Sequence, residues 1–231
     1  TSVSIKDNVA TLIEVNSETD FVALNDEFKD LVTTILNTVV TNNSNSVEEA
    51  LDSNVDNTTL SDLISEKTFK IGEKLSFRRM EKITAKDNEV LGSYMHKGGK
   101  ISTLVVLNGG TVDIASDIAM HVAAMNPKYL NENSASPEDI ENEKAILLEQ
   151  IANEGKPANI AEKIVVGKME KFLKENCLVK QPFVKNTDLT VEEFAKQNNA
   201  TVVKFIRFEV GEGIEKKEEN FAEEVQKQIN G

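Results

Sequence analysis

The sequence holds one cysteine, Cys177, and two histidines, His96 and His121, in 231 residues. A lone cysteine closes no disulfide within the chain, and with two histidines beside it no Cys/His zinc set can be assembled. No metal and no cofactor are expected, and a reducing compartment fits best. No apolar run approaches the roughly eighteen residues of a membrane span, and the opening Thr1-Ser2-Val3-Ser4-Ile5-Lys6 lacks the apolar centre of a signal peptide. A soluble, intracellular protein with no membrane partner is the expectation. Basic residues are also short: 26 Lys and Arg face 39 Asp and Glu, a net charge of −13. Such a surface repels phosphate backbones and removes the electrostatic term behind most non-specific nucleic-acid affinity, so direct nucleic-acid binding is not expected. The first residue is Thr, which leads to the expectation that a preceding segment has been cut away.

Hydrophobic residues make up 39% of the chain, enough for a packed core, and the length suits one elaborate domain or two small ones. Residues 9–15 are β-branched and apolar and read as a strand. Phe28, Leu31, Val32, Ile35 and Val39 recur at helical spacing, which predicts a helix over 25–41. The Asn-rich stretch 42–58 reads as a flexible or variable insert around one short helix near Val47–Leu51, which Ser46 and Glu49 could open as a capping box. A helix near 59–72 leads to 75–83, and 89–96 and 101–108 read as a β-hairpin around Lys97-Gly98-Gly99-Lys100. Thr111 can cap a helix whose Ala115, Ile118, Ala119 and Val122 share a face, stopped by Asn126-Pro127.

Ser136-Pro137 opens a helix carrying Ile140, Leu147, Leu148 and Ile151, and a second helix carries Ala161, Val165, Met169 and Phe172 beyond Gly155-Lys156-Pro157. This pair reads as an inserted antiparallel hairpin over 136–176. Thr190 and Glu193 form a second capping box, 200–210 reads as a strand, and an acidic Gly211-Glu212-Gly213-Ile214-Glu215 precedes a final helix led by Phe221. The pattern is α+β: two small antiparallel sheets flanked by helices, with an inserted antiparallel coiled-coil hairpin.

Catalytic chemistry is thinly represented. His96 sits at a hairpin mouth, where a solvated turn residue is the simpler reading, and His121 flanks an apolar helix face as a partly buried structural residue. Lys97-Gly98-Gly99-Lys100 joins two strands and lacks phosphate-loop spacing, so a plain turn is preferred. The glutamates of Gly211-Glu212-Gly213 would repel a phosphate. Arg78-Arg79, without an aromatic platform, reads as a strand edge or as ion pairs. Phe21 and Val22, in a polar strand-to-helix connection, stand equally between core packing and partner contact.

The segment Glu14-Val15-Asn16-Ser17-Glu18-Thr19-Asp20-Phe21-Val22-Ala23 resembles the hallmark of the bacterial elongation factor Ts family. Four more blocks resemble family segments in family order: Leu91-Gly92-Ser93-Tyr94-Met95-His96 with Gly98-Gly99-Lys100-Ile101; Asp117 to Ala124; Gln181-Pro182-Phe183-Val184; and Phe205 to Glu215. The resemblance implies a two-part core with a coiled-coil hairpin inserted in its second part. Residues 1–108 would form one subdomain, 109–135 with 177–231 the other, and 136–176 the insertion. It also implies an N-terminal ubiquitin-associated-like module before the present first residue.

The activity implied is guanine-nucleotide exchange on elongation factor Tu in a bacterial cytoplasm, with an organellar matrix the second choice. No residue would be catalytic. Asp20 and Phe21, between Thr19 and Val22, would intrude on the partner's Mg²⁺ side; Ile101 and Ser102 would touch another of its helices. His121 would lie in or beside the contact, and Phe221 would pack on the partner. Leu24, Lys100 and Ser102 depart from the commoner family residues. A coiled-coil adaptor or chaperone-like binding protein without exchange activity is the alternative, and a homodimer or a heterotetramer with the partner is left open.

Overall fold

The computed structural model describes residues 1–153 and 158–214. The strands β1 (Ser2–Lys6) and β2 (Val9–Asn16) open the chain, followed by the short helix α1 (Asp20–Leu24) and the longer α2 (Asp26–Asn42). Then come α3 (Val47–Leu51), β3 (Asn54–Val55), β4 (Thr58–Thr59), α4 (Leu60–Ile71) and β5 (Ser76–Thr84). The second half runs β6 (Glu89–His96), β7 (Ile101–Gly109), α5 (Val112–Met125), α6 (Pro137–Asn153) and α7 (Ala158–Asn176). It continues through β8 (Pro182–Phe183), β9 (Asn186–Thr190), α8 (Val191–Gln197) and β10 (Ala200–Glu209).

Two three-stranded antiparallel sheets, ordered β1-β2-β5 and β10-β7-β6, make the frame. Their central strands, β2 and β7, are buried on both faces, which is why both read as nearly continuous runs rather than alternating ones. Ile13 and Val15 pack with Phe28, Leu31, Ile35, Val39 and Leu60 under α2, α3 and α4. On β7, Val105 and Leu107 pack with Ile118 and Val122 of α5 and with Val191 and Ala195 of α8. The remaining faces of the two sheets meet through Ala10, Leu91, Leu104 and Val106. The result is four layers, helices on sheet on sheet on helices, and the α+β architecture anticipated from sequence. The second sheet draws β6 and β7 from one side of the expected boundary at residue 108 and β10 from the other.

Local chemistry explains the element ends. Thr111 Oγ1 accepts from Ile114 N–H, and Asn126 takes a left-handed conformation, φ 46°, to stop α5 before Pro127. Gly92 lets α5 lie against β6, since a Cβ there would fall 2.4 Å from Ala115 C and Ser116 N. The Ser46–Glu49 box forms only by half: Ser46 accepts from Glu49 N–H, whereas the Glu49 carboxylate turns to Asn45 N–H at 2.7 Å. Residues 42–58, expected as an insert, contain α3, β3 and the first residue of β4, and Ala50 is part of the first core.

The hairpin of α6 and α7 has its own small core of Leu147, Ile151 and Val165. Its base is tied to the body where Leu178 N–H donates to Tyr129 O at 2.8 Å and Lys128 N–H to Asn176 O at 3.0 Å. The expected break at Gly155-Lys156-Pro157 and the final helix led by Phe221 lie outside the described residues.

Candidate partner-binding site

A five-residue helix has no stability of its own in water, so α1 depends on what fastens it. Thr19 caps it, Oγ1 accepting from Val22 N–H at 3.4 Å. Thr19 itself donates twice to one carboxylate, N–H to Glu73 Oε2 at 3.0 Å and Oγ1–H to Glu73 Oε1 at 2.7 Å. Lys74 N–H reaches Glu18 Oε2 at 3.3 Å, so the α4–β5 connection braces the segment before α1. At the other end Asn25 closes α1 through its N–H to Val22 O and opens α2 by accepting from Glu27 N–H at 2.8 Å.

Successive helical residues point about 100° apart, and held in this way Val22 turns into the first core while Phe21 turns out. Phe21 is 87% exposed and Leu24 70%, with Asp20 exposed beside them. Lys100 Nζ stands 3.7 Å from Asp20 Oδ2, which brings the β6–β7 turn next to α1. In that turn Lys97, Gly98 and Gly99 all take positive φ, the plain connection expected. Ile101 follows, half-buried, in register with His96 on one side and Glu209 on the other.

Other residues assigned to the contact are interior. Val22 is a core residue. Ser102 is fully buried with its Oγ 2.7 Å from Thr1 Oγ1. His121 is fully buried: Val184 N–H donates to Nδ1 at 3.1 Å, which makes Nε2 the protonated nitrogen and the donor to Gln181 Oε1 at 2.9 Å. Burial pushes its pKa below the ordinary histidine value, the Gln181 bond opposing only in part. His121 is linked to exposed residues on both sides, through Val184 and through Gln181, whose Nε2 donates to Glu175 O at 2.6 Å. His96 is half-buried and its ring stacks on Tyr94, with centroids 6.0 Å apart.

Arg78 and Arg79 are ion pairs, as expected of them. Glu14, on the inter-sheet face of β2 and fully buried, accepts from Arg78 Nη1 at 2.9 Å, Arg79 Nε at 2.5 Å and Gly211 N–H at 3.0 Å. Burial pushes the Glu14 pKa up, but these three donors outweigh it and hold the carboxyl below its ordinary range. The Gly-Glu-Gly loop thus binds the chain's own carboxylate.

Two further exposed or tethering residues, Phe69 and Glu73, are outside the sequence-based expectations. Phe69 is 92% exposed on α4; it lies five residues after the buried Ile64, about 140° round the helix, and that off-face position is the signal that could have found it. Glu73 follows Gly72 as one acidic residue among many, and nothing in the sequence marks its tie to Thr19.

A groove of 420 Å³ lies between α2, the β3–β4 hairpin and α4, lined by residues such as Asp30, Thr34, Val55, Leu63 and Lys67, and the Thr34 hydroxyl donates to the Asp30 backbone oxygen at 2.9 Å. Among the described residues no three His, Cys, Asp or Glu side chains gather to hold a metal ion, and no helix is long and apolar enough to cross a membrane. The fold and site have the features of a binding module, an exposed aromatic carried on a fastened turn.

The comparisons with known proteins give this class its family. The family profile described as Elongation factor TS matches residues 18–212. The elongation factor Ts of Limosilactobacillus fermentum (strain NBRC 3956 / LMG 18251) is 47% identical over 230 residues, covering 100% of this chain and 79% of that protein. That of Limosilactobacillus reuteri (strain DSM 20016) is 46% identical over 228 residues, covering 99% and 78%. The chain belongs to the elongation factor Ts family, and so to the nucleotide-exchange factors of translation elongation rather than to enzymes of covalent chemistry.

Proposed function

We propose that this chain binds elongation factor Tu in the bacterial cytoplasm and speeds release of its GDP by disturbing the partner's Mg²⁺ and phosphate site. The observation that carries the reading is Phe21, an aromatic ring held in water on a helix whose next residue is fixed in the core. Exchange requires that factor and nucleotide weaken each other's hold on the GTPase by the same factor. Mg²⁺ demands near-ideal octahedral geometry and bridges nucleotide phosphates, so a small displacement of the elements around it removes much of the bound nucleotide's stability. Phe21 wedges between helices of the GTPase domain, Asp20 faces the disturbed Mg²⁺ side, and Ile101 on the neighbouring turn makes a second contact.

The test pairs two measurements on Phe21→Ala: the melting temperature of the free variant and the rate of fluorescent GDP release from elongation factor Tu at saturating variant. Melting should be unchanged, since the ring buries little, whereas a core Phe would lose about 3–5 kcal/mol. Release should fall by far more than binding, because the wedge's contact energy is spent on displacement. Normal release at saturation, with binding intact, would mean an adaptor that holds the partner without acting on its nucleotide.

A further inference from the structure

The capping box of α8 is complete within its own helix, and that of α1 is completed from a distance. At α8 the box is local: Thr190 Oγ1 accepts from Glu193 N–H at 3.2 Å, and Glu193 accepts from Thr190 N–H at 2.7 Å and Oγ1–H at 2.9 Å. At α1 the same bonds are made around Thr19, but the third helical position is Val22, which has no acceptor and is buried in the first core. The missing carboxylate comes from Glu73, which lies 54 positions away and accepts from Thr19 N–H at 3.0 Å and Oγ1–H at 2.7 Å. Because the hydroxyl proton goes to the carboxylate, the oxygen's lone pair is left to Val22 N–H, and an ionised acceptor polarises the hydroxyl into a better cap.

The division of labour has a consequence for Phe21. In a local box the third helical residue must carry a polar side chain that reaches back to the cap N–H, as Glu193 does for Thr190 and Ser134 for Asn131. With the carboxylate supplied in trans, that position is free to anchor α1 in the core through Val22, and this fixes the direction in which the preceding residue projects. Resting on the proposed role of Phe21, we infer that Glu73 is a positioning residue for exchange: it completes the cap that aims Phe21 at the GTPase. It need not touch the partner.

Three variants, Glu73→Ala, Glu73→Gln and Phe21→Ala with Glu73→Ala, are measured beside Phe21→Ala for GDP release at saturation, for half-saturating concentration, and for melting temperature. Glu73→Ala should slow saturated release about 3- to 10-fold, the worth of one net hydrogen bond, with melting little changed because α1 is a single turn. Glu73→Gln keeps one acceptor for Thr19 N–H and should recover part of the rate. Since Glu73 acts through the ring, the double variant should be no slower than Phe21→Ala. A wild-type rate for Glu73→Ala beside a slow Phe21→Ala overturns the role of Glu73 alone. Losses that multiply in the double variant overturn it as well, because they mean Glu73 acts independently of the ring. A wild-type rate for Phe21→Ala overturns the reading of Phe21 and the role of Glu73 together.

Discussion

His121 Nε2 lies 2.9 Å from Gln181 Oε1, a bond between residues 60 positions apart that is closed on its far side by Val184 N–H pointing at Nδ1. Both ring nitrogens are satisfied only in the neutral form. A proton on Nδ1 would set one N–H against another, inside a layer that excludes water.

The first prediction follows from that arrangement. The folded-state pKa of His121 is depressed, so its contribution to stability is whole above the ordinary histidine value of about 6.5 and is lost as the pH falls below it, where the unfolded chain takes up a proton that the native state resists. Urea midpoints should decline from about pH 7 to pH 5. In His121→Asn the whole curve should sit lower and that slope should flatten. An equal slope in both proteins would place the titration elsewhere.

Glu14 governs a second, more acidic window. Its folded pKa lies below the ordinary 4.5, so its contribution is present above that value and lost as the pH falls through the folded one. At neutral pH, Glu14→Gln leaves Arg78 and Arg79 facing an amide between the sheets, and should cost about 3 kcal/mol in denaturant unfolding. A loss below about 1 kcal/mol would show that the two arginines, each partly exposed, find replacement partners at little cost.

The helical hairpin should be separable from the body. Leu147, Ile151 and Val165 pack with Ile164 and Met169 and not with either sheet, whereas the base is held by Tyr129, Asn176 and Cys177. Replacing 142–170 with a short Gly/Ser link should leave one cooperative calorimetric transition and most exchange in solution. A broad or absent transition would show that the hairpin carries part of the body's stability.

Legibility from sequence followed the reach of each interaction. β7 and α5 were legible because their apolar patterns and caps are local, and Thr190 with Glu193 made the box that its spacing announced. β1 is not legible as a strand: Ser2-Val3-Ser4-Ile5-Lys6 is short and largely polar, and it becomes one only because β2 is beside it. Phe21 and Val22 were indistinguishable as core or contact because the turn that separates them is set by Glu73 and Asn25. Family resemblance named positions but not exposures, so Ser102 and His121 carried a contact role onto side chains that are buried.

Asn25 ends one helix and begins the next, and this sharing joins their fraying. Opening of α1 releases the Asn25 N–H from Val22 O and lets the residue leave the conformation from which its side chain caps α2. The Val22 and Glu27 amides, each bonded to a cap side chain, should then open to hydrogen exchange as one unit, at a free energy well below that of global unfolding. The exposed ring of Phe21 thus sits on a single capped turn over a packed layer, and a change in that turn can re-aim it without the sheets beneath coming apart.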